Sequence, residues 1–134
     1  MNEIETRIEV DVNPTEDLEK VKQAVENIFG RVEFEVKQRK RGSLLVAQTE
    51  GRDGLAKLYN LLRRERIRDA ARVVLFEGLR KKSITFYLNK QVAYADHISF
   101  SQLTGESPLG PIEVRISCED PRELIEWLAP KTTR

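Results

Sequence analysis

The stretch "IETRIEVDV" sets apolar side chains at Ile4, Ile8, Val10 and Val12, with charges mostly between them. A period of two predicts a strand with one buried face. The period then changes. In "NPTEDLEKVKQAVENIFG", Leu18, Val21, Val25 and Ile28 stand three, four and three residues apart, the spacing of one helical face. Asn13 or Thr15 is the expected N-cap, Glu16 and Asp17 suit the positive helix start, and Gly30 is the expected stop. "RVEFEVK" alternates again, "QRKRG" is a basic turn and "SLLVAQT" is apolar, so residues 31–49 read as a hairpin.

"GRDGLAKLYNLLRRERIRDAARVVLFEGL" is helical. Leu55, Leu58, Leu61 and Leu62 line its first part; Ile67, Ala70, Ala71, Val74 and Leu75 line its second. The stripe shifts near Arg64 to Arg66, which predicts two helices or one kinked helix. "SITFYLNKQVAYA" puts Ile84, Phe86 and Leu88 on one face of a fourth strand. "HISFS" is a short fifth strand and "IEVRISC" a sixth. Between these two lies "GESPLGP", a loop rich in Gly and Pro. In "DPRELIEWLAP", Asp120 as N-cap, Pro121 at the first helical position and Glu123 at the third announce a final helix.

The predicted order is β-α-β-β-α-α-β-β-β-α. This defines one α+β domain over residues 1–134: a mixed or largely antiparallel sheet of about six strands with helices packed on one face. The short connections argue against a doubly wound parallel sheet. Hydrophobic residues make up 40% and charged residues 34% of the chain, as in a folded, soluble protein. No apolar run approaches the roughly 20 residues of a membrane helix, and the charged N-terminus is not a signal peptide. Cys118 is the only cysteine, which excludes an intramolecular disulfide; a cytoplasmic location is expected. High charge with one Cys and one Met also fits a heat-adapted protein.

Charge sharpens this picture. Residues 1–35 hold four basic and ten acidic residues, residues 36–90 fifteen and five, and residues 91–134 four and seven. A chain of net charge +1 thus carries a central block of +10, which suggests an anionic partner. Within it, "RRERIRDAARVVLFEGLRKK" (residues 63–82) has eight cations and three acids. Asp69 is placed to pair with Arg66 or Arg72. Arg63, Arg64, Arg68, Arg80, Lys81 and Lys82 have too few local acids, and Lys37, Arg39, Lys40 and Arg41 add the hairpin turn. If turn and helices share a side, they form a cationic surface for a nucleic-acid backbone. The competing reading is a solvated face laced with salt bridges. Tyr87 is the best candidate for base stacking.

Catalytic patterns are missing. His97 and Cys118 are single and far apart, which makes a zinc site improbable; no metal and no cofactor are expected. Asp96, His97, Ser99 and Ser101 contain the residue types of a nucleophilic site but fall on a plain strand surface. Neither GxxxxGK[ST] nor GxGxxG is present.

"PTEDLEKVKQAVENIF", "RIRDAAR", "ITFYLNKQVAY", "SPLGPI" and "LIEWLAP" together resemble an archaeal family of small uncharacterised proteins labelled in places as predicted RNA-binding. The resemblance spans nearly the whole chain. It implies a fold similar to the large-subunit ribosomal protein that binds 5S rRNA, an RNA partner such as rRNA or tRNA, a homodimer, and no established catalytic residues. Its recurring stretches add Arg68, Arg72, Asn89 and Lys90 as a polar site, with Gln91 beside it. Non-enzymatic RNA binding is the leading expectation. A dimeric protein-interaction module without nucleic-acid affinity is the alternative, and a small-molecule enzyme around Arg72, Asn89 and Lys90 ranks last. The Ser107–Ile112 loop has no assigned role.

Overall fold

Strand β1 (Glu5–Val12) buries Thr6, Ile8, Val10 and Val12 and turns Glu5 and Asp11 to solvent, as its alternation predicts. The protein is described by a computed structural model covering residues 3–101 and 110–132. Helix α1 (Leu18–Phe29) begins later than expected: its N-cap is Asp17, whose carboxylate accepts the Glu19 amide, rather than Asn13 or Thr15. Gly30 ends it. Strands β2 (Glu33–Gln38) and β3 (Ser43–Glu50) form the predicted hairpin. Gly42 makes its turn possible. Its φ is +76°, and a Cβ there would lie 2.1 Å from the Val12 carbonyl oxygen.

A short 3₁₀ turn leads into α2 (Ala56–Arg64), and α3 (Arg68–Glu77) follows. The break falls at Arg66, which takes a left-handed conformation (φ 58°) while the Ile67 amide donates back to the Leu62 carbonyl. Strand β4 (Ser83–Leu88) stops earlier than its sequence suggested. The Asn89 side chain accepts the Val92 amide and caps a short helix, α4 (Lys90–Tyr94); this N-cap chemistry overrides the strand-like residues that follow. Strands β5 (Phe100–Ser101) and β6 (Ile112–Ser117) precede α5 (Pro121–Leu128), which starts as predicted with Asp120 accepting the Glu123 amide. Within the Ser107–Ile112 loop, residues 107–109 lie outside the described residues. The expected order holds, with α4 inserted.

All pairings are antiparallel, in the order β2-β3-β1-β6-β4-β5. One face carries Ile8, Val10, Leu45, Ile84, Phe86, Leu88, Ile112 and Val114 into the core. There they meet Val21, Val25 and Ile28 of α1, Leu58, Leu61 and Leu62 of α2, Leu75 of α3, and Leu124 and Leu128 of α5. Among the described residues, no helix packs on the other face. At one edge, β2 has no further strand beside it. At the other, among the described residues, β5 pairs with Tyr87 and Leu88 of β4, and residues 78–80 hydrogen-bond further along: Gly78 takes the Thr85 amide and Ser83 takes the Arg80 amide.

Thr6 occupies a core-facing position, 1% exposed, and its hydroxyl has no hydrogen-bond partner among the described residues. A buried unsatisfied hydroxyl is destabilising. Thr6→Val, nearly isosteric, should therefore raise stability by about 1 kcal/mol, read as a higher midpoint in urea. A lower midpoint would show that the hydroxyl is satisfied.

Candidate nucleic-acid interface

Strand register dictates which charges share the uncovered sheet face. Arg7 lies opposite Gln48 and Arg115, Glu9 opposite Val46 and Glu113, and Glu5 opposite Glu50 and Ser117. Glu33, Glu35 and Lys37 extend these rows onto β2, and Ser83, Thr85 and Tyr87 extend them onto β4. The face therefore holds seven carboxylates (Glu5, Glu9, Asp11, Glu33, Glu35, Glu50 and Glu113) against three cations, Arg7, Lys37 and Arg115. The β2-β3-β1 half repels a polyanion. The β6-β4 side carries Arg115, hydroxyls and Tyr87, with Glu113 its only carboxylate.

The hairpin turn keeps its charge free. Lys37, Arg39, Lys40 and Arg41 are exposed and have no ion pair among the described residues. The turn sits at the Val12 end of β1, because Ser43 pairs with Val12. The Arg80–Lys82 segment enters β4 at the Glu5 end, because Ser83 pairs with Ser117 and Ser117 with Glu5. Eight residues of β1 separate these ends by about 23 Å. The two basic segments do not merge into one patch.

Much of the helical cluster is occupied in holding α5. Arg63 lies over the Tyr59 ring, 3.3 Å from its centroid, and donates to the carbonyls of Tyr59, Trp127 and Leu128. Tyr59 stacks on Trp127 at 4.8 Å, and the Arg52 guanidinium lies over the indole at 5.1 Å. Arg72 makes a bidentate pair with Glu126 at 2.6 and 2.8 Å; hydrogen bonding to that carboxylate raises the Arg72 pKa and lowers that of Glu126. Arg64 reaches the Asp96 carbonyl and Glu65, and Lys82 pairs with Glu119 at 2.9 Å. Asp69 binds Thr132 rather than Arg66 or Arg72. Arg68 and Lys81 make no ion pair among the described residues. Arg80 donates only to the Leu79 and Glu77 carbonyls.

Lys90 is a correction to the expected surface. It is fully buried, its Nζ 3.1 Å from Glu16 and 2.8 Å from the Asp11 carbonyl, so it has no access to an external phosphate. Burial alone would push the Glu16 carboxyl up. Hydrogen bonds from Asn13 and Lys90 outweigh this and hold it below its usual range. Tyr94 donates to the same carboxylate, and its pKa is pushed up to about 12, by burial first and by Glu16 next. Arg72 clamps α5, Asn89 caps α4 and Lys90 is buried, so the polar site expected from these residues is not assembled. His97 is an exposed histidine with Nδ1 2.8 Å from Glu65. Cys118 is buried, which raises its pKa. Among the described residues, no group of three or more His, Cys, Asp or Glu could hold a metal ion, and no helix is long and apolar enough to cross a membrane.

Register and ion pairing together define a class: an α+β protein with one face of an antiparallel sheet free of helices among the described residues, acidic over half its width, and free cations at the β2–β3 hairpin. The chain belongs to the archaeal UPF0201 family, and residues 5–118 match a family model described as RNA binding. The UPF0201 protein TK1335 of Thermococcus kodakarensis is 44% identical over 128 residues, 96% of this chain and 91% of the relative. A UPF0201 protein of Sulfurisphaera tokodaii is 48% identical, covering 95% and 88%. The crystal structure of a UPF0201 protein from Methanococcus jannaschii superposes with a TM-score of 0.87 at 35% identity, covering 96% of this chain and 95% of that one. Mth689, a DUF54 protein from Methanothermobacter thermautotrophicus, shares the fold at 18% identity and a TM-score of 0.63, covering 94% and 98%.

Proposed function

We propose that this protein is a non-enzymatic binder of structured RNA, with rRNA or tRNA as the target class, and that it grips the phosphate backbone with the β2–β3 hairpin. The observation that carries this reading is the free charge of Lys37, Arg39, Lys40 and Arg41, set against Arg63 and Arg72, which are tied to α5. A hairpin with four uncompensated cations, three in its turn and Lys37 near the end of β2, gains affinity by releasing counterions from the backbone it contacts. Arg68, Lys81 and Arg80 extend the contact to a second region of a long or folded RNA. The acidic half of the sheet keeps the chain from lying flat on that face.

Replacing Lys37, Arg39, Lys40 and Arg41 with Ala should weaken binding to structured RNA at least tenfold at low salt. It should also reduce the slope of log affinity against log salt by about three. Fluorescence anisotropy across a salt series reads both. An unchanged slope removes the hairpin from the interface.

The carboxylate excess on the bare sheet favours a second reading, in which the basic hairpin of one copy meets the acidic face of another in a homodimer. Salt-sensitive self-association in sedimentation, without RNA affinity, would select it.

A further inference from the structure

Beside β4 the fold leaves a cleft of about 500 Å³ lined by Arg80, Ser83, Thr85, Tyr87, Arg115 and Glu77, together with Ser101 and groups of α3 and β4. It lies where the end of α3 approaches β4 at Gly78, whose carbonyl accepts the Thr85 amide. A Cβ on Gly78 would stand 1.9 Å from the Thr85 carbonyl oxygen, so no other residue permits that approach.

Two arginines line it, and neither makes an ion pair among the described residues. Arg115 faces Arg7 across the β1–β6 pair, a repulsive arrangement; Arg7 is satisfied by Glu9 at 2.7 Å, whereas among the described residues Arg115 has only a long contact, 3.4 Å, to the Thr85 hydroxyl. Arg80 donates only to carbonyls of its own turn. Ser83 and Thr85 add hydroxyls, and Tyr87 adds a ring on the same sheet face, two residues along β4 from Thr85. Uncompensated guanidiniums beside hydroxyl donors suit a phosphoryl oxyanion, which arginine binds through two parallel hydrogen bonds. A flanking tyrosine suits the base attached to it. Glu77, the only lining carboxylate, opposes a bare phosphate and accepts hydrogen bonds from sugar hydroxyls, so it favours a nucleotide over inorganic phosphate.

We propose that this cleft is a nucleotide site in which Arg80 and Arg115 hold the phosphoryl group and Tyr87 packs on the base. It deepens the RNA reading by supplying a pocket for one phosphorylated nucleotide, away from the hairpin that grips the backbone. The same chemistry could come from a free mononucleotide or from an RNA 5′ end.

Adenosine 5′-monophosphate, adenosine and inorganic phosphate are titrated separately into the full-length protein, followed by amide chemical shifts. A 5′-phosphorylated and a 5′-hydroxyl tetraribonucleotide are then compared. The expected result is at least tenfold tighter binding of the monophosphate than of adenosine or phosphate, with shifts centred on β4 and residues 78–80. Arg115→Gln should abolish this preference and Arg115→Lys should restore little of it, both with unchanged melting temperature, while the fourfold hairpin variant retains it. A tighter phosphorylated tetranucleotide identifies the RNA end as the source; a preference confined to the monophosphate identifies a free nucleotide. Equal affinities for adenosine and its monophosphate, or shifts away from β4, overturn the proposal. A site that binds the monophosphate in a protein with no affinity for structured RNA leaves the cleft standing and removes the hairpin reading.

Discussion

Lys90→Met should destabilise the protein by about 3–5 kcal/mol. The substitution leaves the Glu16 carboxylate, 6% exposed, without the ammonium that neutralises it. The Asp11 carbonyl loses its donor in the same step. Urea unfolding at neutral pH measures the loss, and the fold at risk is the junction of β1, α1 and α4. Lys90→Met combined with Glu16→Gln should recover part of it, because the buried charge then disappears with its partner. The pH dependence has a definite sign. The Glu16 pKa is depressed in the folded wild type, so its contribution is fully present above the ordinary carboxylate range and is lost as pH falls through the folded value. In Lys90→Met, burial opposes ionisation with less to offset it. The gap between wild type and variant should therefore narrow between pH 7 and pH 3. A loss below about 1 kcal/mol, or a gap constant with pH, would show that the pair is not an essential part of the core.

Arg63→Ala is the second large effect, and it separates a structural arginine from a phosphate ligand. The Arg63 guanidinium stacks on Tyr59 and donates to three carbonyls, two of them on α5. Hydrogen bonds from a charged donor and a close cation–π contact together are worth on the order of 2 kcal/mol. The melting temperature should fall by roughly 8 °C for a chain of this size. RNA affinity measured well below the transition should not change. A variant of normal stability with weakened RNA binding would return Arg63 to the interface and give the α2–α3 face the role assigned here to the hairpin.

The fold was legible because its strands alternate cleanly and its helices carry three-and-four spacings; Ile84, Phe86 and Leu88 identify the buried face of β4 without further help. Position 90 continues the same buried series one step further. The agreement is by number alone, because Lys90 opens α4 behind the Asn89 cap and its burial follows from that helix, not from strand period. The fates of Arg63 and Arg72 were not legible. Their partners lie more than fifty residues away on α5, and a local count of acids at three and four residues cannot find them. Arg115 went unnoticed for a related reason: alone in "IEVRISC" it is an ordinary outward residue. It gains significance only when register sets it opposite Arg7 and beside Thr85. The hairpin cations could be read directly, because a tight turn leaves its residues few neighbours besides solvent.

The two borders of the sheet carry a consequence for how this molecule meets others. An unpaired β-strand is a template for the next one, and proteins with bare borders polymerise through their backbones. Here β2 ends one border with Glu33, Glu35 and Lys37 exposed among its six residues, a spacing of charge that a stacking neighbour would have to desolvate. At the other border, among the described residues, β5 pairs with the end of β4 and the chain itself occupies more of it at residues 78–80. Growth by strand addition is discouraged on both sides, so whatever this protein holds, it holds with side chains.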